Sequence, residues 1–272
     1  MNTSTHRGTA LITGASSGIG AVYADRLADA GYDLILVARS ADKLRTLAEQ
    51  LTTRSGRSVE VLAADLTKPT DLAKVEAVLK TDASITMLVN NAGVGATTPL
   101  LQSKIGKMEQ MITLNISVLT RLAYAAAPAF VSRGAGTIIN IASIVAVAPE
   151  MLNGVYGASK AFVLAFSQSL QHELADKGVR VQAVLPGATA TEFWSIAGMP
   201  IERLPQGIVM SAEDLVDAAL AGLKQGEVIT IPSLPDRADW DKFENARKAL
   251  GPGLSRNVPA ARYVVSHINP TH

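Results

Sequence analysis

Thr13-Gly14-Ala15-Ser16-Ser17-Gly18-Ile19-Gly20 follows a short apolar run, Ala10–Thr13, and opens a segment of helical period. Glycines at such a junction permit a tight turn and let a pyrophosphate approach the backbone closely. The helix that begins there offers free N–H groups and a partial positive charge to that anion. The glycines stand at one, five and seven, not at the one, three and six of the common dinucleotide fingerprint.

Outward from this turn, short β-branched runs alternate with longer helical stretches. Strands are expected at Ala10–Thr13, Asp33–Ala38, Val59–Ala63, Ile85–Asn90, Gly136–Ile141, Val179–Leu185 and Val228–Ile231. Helices are expected to start near Gly18, Ala41, Pro69, Ser103, Val155 and Ser211. The alternation predicts an α/β, doubly wound architecture: a mostly parallel, seven-stranded sheet with helices on both faces. The strand candidates are nearly unbroken apolar runs, as strands buried on both faces require. No linker or repeat divides the 272 residues, so a single domain is expected over 1–272. A chain of this length buries about 75% of the surface its unfolded form exposes. Two segments break the rhythm. Residues 191–210 mix Phe193, Trp194, Ile196 and Met199 with glycine and proline, a lid-like composition, and 232–272 forms an extension with one helix expected at Asp236–Leu250.

Twenty-five basic and twenty-four acidic residues leave a formal charge of +1. No global field steers such a chain toward nucleic acid. The absence of cysteine excludes disulfides and thiolate metal sites and fits a reducing compartment. No His/Asp/Glu cluster has zinc spacing, so no metal is expected, and His172 beside Glu173 reads as a solvated surface histidine. Met1–Gly8 is too polar for a secretory signal. The apolar windows Leu34–Ala38 and Ile138–Ala148 fall short of the roughly 20 residues that span a bilayer. A soluble, cytoplasmic protein without membrane or nucleic-acid partners is the expectation.

The opening stretch also spells Gly14-x-Ser16-x-Gly18, the pattern of a serine-hydrolase nucleophile elbow. That chemistry needs a later acid and histidine. The later histidines are His172, in a helix, and His267 and His272, in the extension. The elbow is therefore the weaker reading.

Further motifs recur at strand ends: Asn90-Asn91-Ala92-Gly93, Asn115 within a helix, Ser143, Tyr156-Gly157-Ala158-Ser159-Lys160, and Pro186-Gly187 with Thr191 beyond. In this order the set, from about Gly8 to Ile231, resembles the short-chain dehydrogenase/reductase family, whose glycines also stand at one, five and seven. The resemblance implies a Rossmann-type sheet with a nicotinamide dinucleotide laid across its carboxyl edge. It implies that Gly14, Ser16, Ser17, Gly18, Ile19 and Gly20 hold the phosphates and adenosine ribose. Asp65 and Leu66 would border the adenine, Asn91, Ala92 and Gly93 would line the central path, and Pro186, Gly187, Thr189 and Thr191 would meet the nicotinamide. Asn90 would be a structural hydrogen-bonding residue. Ser143, Tyr156, Lys160 and Asn115 would be the catalytic set, with Ser143 orienting the substrate oxygen, Lys160 also holding the nicotinamide ribose and Asn115 serving a water-linked proton relay. The alternative is a catalytically silent, cofactor-binding regulator of the same fold; loss of Tyr156 or Lys160 would signal it, and both are present.

These side chains suit carbonyl chemistry. Tyr156 and Lys160 are four apart and share a helix face. A free tyrosine titrates near 10, too high for efficient acid/base work at neutrality. Lowering it by three units takes roughly 4 kcal/mol, comparable to a cation about 4 Å away at an effective dielectric near 20. Lys160 and an oxidised nicotinamide are both able to supply that charge. At the end of the second strand stand Ala38 and Arg39, with no carboxylate before Asp42. An acid there would repel a 2′-phosphate, whereas arginine accommodates one, so NADP(H) is expected over NAD(H). The apolar content of 191–210 predicts a hydrophobic carbonyl or alcohol substrate touching Phe193, Trp194 and Met199. The alanine-rich helices bearing Asn115 and Tyr156 predict burial against another subunit, and the resemblance implies a homodimer or homotetramer.

Overall fold

The computed structural model describes residues 6–263. Residues up to Ser233 form one compact unit and those from Leu234 a second. The first unit holds β1 (Thr9–Thr13), α1 (Gly18–Asp29), β2 (Asp33–Ala38), α2 (Ala41–Ser55), β3 (Val59–Ala63), α3 (Pro69–Thr81) and β4 (Ile85–Asn90). It continues through α4 (Ile105–Ile112), α5 (Leu119–Arg133), β5 (Gly136–Ile141), α6 (Gly154–Leu174), β6 (Val179–Val184), α7 (Phe193–Ala197), α8 (Ala212–Lys224) and β7 (Ile229–Thr230). The second unit holds α9 (Arg237–Ala249), capped by the Asp236 side chain, which accepts from Ala238 N at 2.8 Å.

The seven strands are parallel, in the order β3-β2-β1-β4-β5-β6-β7. Strand residues alternate between two apolar layers, as a two-residue period demands. Ala10, Ile12, Leu34, Leu36 and Val89 pack with α1, α2 and α8. Leu11, Ile35, Val37, Leu88 and Ile138 pack with α3, α5 and α6. Local signals set the helix ends. Ser40 accepts from Lys43 N at the start of α2, and Gly56 ends that helix at φ +69°. Pro69 stands in the first turn of α3, where its missing N–H costs nothing. Ser211 accepts from Asp214 N at 2.9 Å to start α8.

Four details depart from the sequence reading. β3 lies at a sheet edge, half-exposed with Glu60 outward, and is not buried on both faces. β7 pairs over two residues only, and β6 ends at Val184. Residues 191–210 contain α7 and two short 3₁₀ turns. Lastly, α4 and α5 are joined by a π-helical turn, Thr113–Val118, into one span. That span, Ile105–Arg133, is long and apolar enough to cross a bilayer by length and composition alone. The apolar windows singled out in the sequence missed it. Its Leu122, Ala123, Ala126 and Phe130 lie in the core against the sheet.

A buried polar chain ties the sheet to α6, the helix that carries Tyr156 and Lys160. Asn90 Nδ2 donates to Asn140 Oδ1 at 3.0 Å, Asn140 Nδ2 to Ser167 Oγ at 2.9 Å, and Ser167 Oγ to Val163 O at 2.7 Å. Replacing Asn140 by alanine leaves the Asn90 amide without its acceptor. The variant should lose about 1–3 kcal/mol of stability, read from the urea midpoint at unchanged slope.

Candidate active site

The strand order reverses between β1 and β4, and there the carboxyl ends of the two strands are stitched together. Thr13 Oγ1 donates to Val89 O at 3.3 Å and accepts from Asn91 N and Ala92 N at 3.1 and 3.0 Å. Asn91 Nδ2 donates to Thr13 O and Gly14 O at 3.0 and 3.1 Å. Gly14 and Gly18 take φ values of +65° and +55°, where a side chain is strained. A Cβ on Gly20 would stand 2.4 Å from Gly14 O and 2.5 Å from Asn91 Nδ2. Only glycine therefore allows the start of α1 to pack this closely on Gly14 and Asn91. Ser17, which caps α1, makes no side-chain bond to it, so the first-turn N–H groups stay available to an anion. This cradle fits a dinucleotide pyrophosphate. No hydrogen bond joins Ser16 to a histidine or an acid among the described residues. His172 is exposed near the end of α6, and His267 and His272 lie outside the described residues.

Beside the cradle, Arg39 and Ser40 are exposed at the end of β2. Asp65, half-buried past β3, accepts from Thr67 Oγ1 at 2.7 Å and Thr67 N at 3.1 Å. The Thr67 hydroxyl, with help from Lys68 and Arg39, holds its carboxyl below the usual range. Leu66 is buried.

Across the groove, α6 starts at Asn153, whose Oδ1 accepts from Val155 N at 2.9 Å and Tyr156 N at 3.3 Å. Its Nδ2 donates to Thr98 O at 2.6 Å, tying the start of α6 to the segment after β4. One turn later Lys160 Nζ donates to Ile141 O at 2.8 Å and lies 5.9 Å from the Tyr156 ring centroid. A Cβ on Gly93 would stand 3.1 Å from Asn115 Oδ1 and 3.6 Å from Lys160 Nζ, so these three converge. Ser143 Oγ donates to Pro186 O at 3.3 Å and accepts from Val145 N at 3.4 Å. Asn115, in the π-turn, accepts from Val94 N at 3.0 Å and donates to Val94 O at 2.9 Å and to Ser159 Oγ at 3.0 Å. Its side chain is thus committed to fixing the segment after β4.

Burial dominates the electrostatics. It pushes the Tyr156 phenol up to about 12, against the hydrogen bond with Ser143, and pulls the Lys160 ammonium down to about 8. The charged form is disfavoured in both cases, as in any poorly solvated site. In the protein alone, Lys160 is engaged with the Ile141 carbonyl and does not lower the phenol.

A sequence model of short chain dehydrogenases matches residues 8–198. The chain belongs to the short-chain dehydrogenase family. Among solved structures it is similar to the short-chain dehydrogenase of Sphingobium yanoikuyae in complex with NADPH. The two are 50% identical, covering 94% of this chain and 100% of that one, with a TM-score of 0.92. It is also similar to the bulky-bulky ketone specific alcohol dehydrogenase of Comamonas testosteroni, 43% identical over 96% of this chain and 100% of that one, TM-score 0.89. Among curated proteins, an uncharacterized oxidoreductase of Staphylococcus epidermidis is 35% identical, covering 82% of this chain and 93% of that one. The chain is an oxidoreductase of this family.

Beyond β6 of this short-chain dehydrogenase, the start of the segment the sequence marked as lid-like lies against the cradle and Tyr156. Thr189 Oγ1 donates to Gly187 O at 3.2 Å, Thr189 bridges Met210, and Thr191 lies against Gly18 of the cradle. The sequence reading grouped Phe193, Trp194 and Met199. The structure separates them. Phe193 faces Tyr156, with ring centroids 5.7 Å apart, whereas the buried Trp194 donates through Nε1 to Thr189 O at 2.9 Å. Met199 is half-buried and its N bonds Trp194 O at 3.0 Å. The sequence reading passed over Asn153 and Gly95. The capping rule for asparagine ahead of a helix would have found the first. No local signal marks the second. No group of three His, Cys, Asp or Glu able to hold a metal occurs among the described residues.

The depressed Lys160 has a consequence for stability. Between pH 8 and 10 the unfolded lysine keeps its proton while the folded one gives it up, so the unfolded state binds more protons and folding is favoured as pH rises. The protein without cofactor should gain stability over this window relative to Lys160→Met, with a slope approaching 1.4 kcal/mol per pH unit. Denaturant titrations of both proteins at four pH values read the difference.

Proposed function

We propose that the protein transfers a hydride between NADP(H) and a carbonyl or secondary alcohol carbon, with Tyr156 as general acid/base. The observation that carries the reading is the convergence of Tyr156, Ser143 and Lys160 beside a glycine cradle at the strand-order reversal. The nicotinamide, when bound, supplies or accepts the hydride. In reduction the carbonyl carbon gains the hydride, and the oxygen gains the proton of the Tyr156 hydroxyl. Ser143 would hold that oxygen by a second hydrogen bond. Lys160 would hold the nicotinamide ribose and support the phenolate left behind, and the turn around Asn115 would serve the return of the proton from solvent. The positive charge of an oxidised nicotinamide is the remaining means of lowering a phenol that burial has raised.

Gly14, Ser16, Ser17, Gly18, Ile19 and Gly20 would hold the phosphates, with Asp65 and Leu66 at the adenine. Asn91, Ala92 and Gly93 would line the middle, and Pro186, Gly187, Thr189 and Thr191 the nicotinamide. NADP(H) is favoured over NAD(H) because exposed Arg39, with no carboxylate before Asp42 along the chain, suits a 2′-phosphate. The NADPH bound to the Sphingobium yanoikuyae relative agrees. An apolar ketone is favoured because Ala96, Met108, Met111, Val145 and Phe193 surround Tyr156. The ketone specificity of the Comamonas testosteroni relative points the same way. Exposed Ile112, Tyr124 and Phe162 on the helices beside the site support a homodimer or homotetramer through that face.

Tyr156→Phe should bind NADPH with wild-type affinity and lose turnover of ketones by roughly 10²–10⁴-fold. Retention of turnover would overturn the assignment of the proton donor. Arg39→Asp should weaken NADPH by at least tenfold more than NADH, about the effect of 1.4 kcal/mol, in fluorescence titrations of both cofactors.

A further inference from the structure

We propose that Gly95 and Phe193 together set the size of the substrate pocket: the Phe193 ring occupies the place beside Tyr156 that a ketone's bulky apolar substituent must take, and Gly95 is the notch that lets the ring lie there. The inference rests on Tyr156 being the proton donor and adds the pair that governs which ketones reach it.

The notch is read from what a side chain at Gly95 would meet. Its Cβ would stand 2.1 Å from Phe193 Cζ, 2.6 Å from Cε2 and 3.2 Å from Cε1. Two of these are closer than non-bonded carbons tolerate, so any residue but glycine displaces the ring. On its other sides the ring meets Tyr156, tilted by 44° at 5.7 Å, and Trp194, edge-on at 88° and 5.6 Å. These are favourable aromatic separations.

The placement of the ring is also anchored. Thr97 N and Thr97 Oγ1 both donate to Ala197 O, at 3.2 and 2.9 Å. The segment that carries Gly95 is therefore bonded to the end of α7, the helix that carries Phe193. Trp194 pins the same helix through Thr189 O at 2.9 Å. Notch and ring are held in register from both sides.

With the ring in place, Tyr156 is 5% exposed and Ser143 8%. A bulky substituent on the ketone finds room beside these hydroxyls only if the ring yields. The space it vacates is bordered by the buried, apolar Ala96, Met108, Met111 and Val145. What replaces a phenyl ring among such neighbours is another flat apolar group, so the favoured substrates are aryl ketones whose ring takes the place of Phe193.

The test compares kcat/KM for benzophenone and for butanone, with NADPH, in wild type, Gly95→Ala, Phe193→Ala and the double variant. Phe193→Ala should raise the benzophenone-to-butanone ratio by about tenfold or more, the scale of a pocket-filling change. Gly95→Ala should shift the ratio at least threefold in the wild-type background and leave it unchanged once Phe193 is alanine, because the methyl acts only through the ring. An equal shift in both backgrounds, or a Phe193→Ala ratio equal to that of wild type, overturns the proposal, as does wild-type turnover of neither ketone. If Gly95→Ala does not fold, Phe193→Leu and Phe193→Ala, with unchanged NADPH affinity, must raise the ratio in graded order, and a flat series overturns it. Failure of the underlying reading shows separately, as a Tyr156→Phe variant that still turns over ketone.

Discussion

Two strands that are distant in sequence must meet at the middle of the sheet with almost no side chain between their ends. β1 and β4 pair where the strand order reverses, and the turn after one lies against the segment after the other. Thr13 and Asn91 make the junction by satisfying each other's backbone, while Gly14 and Gly20 remove the carbons that would force it apart. Because Asn91 spends its amide on Thr13 O and Gly14 O, the chain continues toward Gly93 in a fixed direction. That direction brings Gly93 up to Asn115 and Lys160. The cradle for an anion and the chemistry beside Tyr156 are thus two ends of one geometric constraint.

The polar groups around that constraint are held at some cost to the fold. Tyr156 and Lys160 sit where neither charge is welcome, and burial acts on both more strongly than their neighbours do. Around them the structure commits polar side chains to the backbone: Asn115 to both sides of Val94, Asn153 to the start of α6, Ser159 to Tyr156 O at 2.8 Å. Buried polar groups that are fully partnered rigidify their surroundings, and here they leave the Tyr156 hydroxyl and the Lys160 ammonium as the adjustable members.

Much of this was legible along the chain. Apolar β-branched runs placed all seven strands, and the spaced glycines stand at the turn between β1 and α1 where the sequence put them. What stayed hidden depended on partners remote in sequence. Gly95 looks like any loop glycine until Phe193 is seen against it. The π-turn at Thr113–Val118 has no distinctive composition, and the bonds of its buried Asn115 go to Val94 and Ser159, 21 and 44 residues away. Trp194 and Phe193 are adjacent and equally apolar, so only the indole's bond to Thr189 O tells which turns away from Tyr156. Edge position made β3 half-exposed, and Glu60 was its one local hint.

The hydrogen bonds that build the cradle span 78 residues from Thr13 to Asn91, and Ser143 reaches Pro186 across 43. Loops of that length close slowly, and parallel pairing gives nothing back until the intervening crossover is in place. The complete groove therefore depends on the central pairing of the sheet, because Thr13 and Asn91 meet only where β1 lies beside β4.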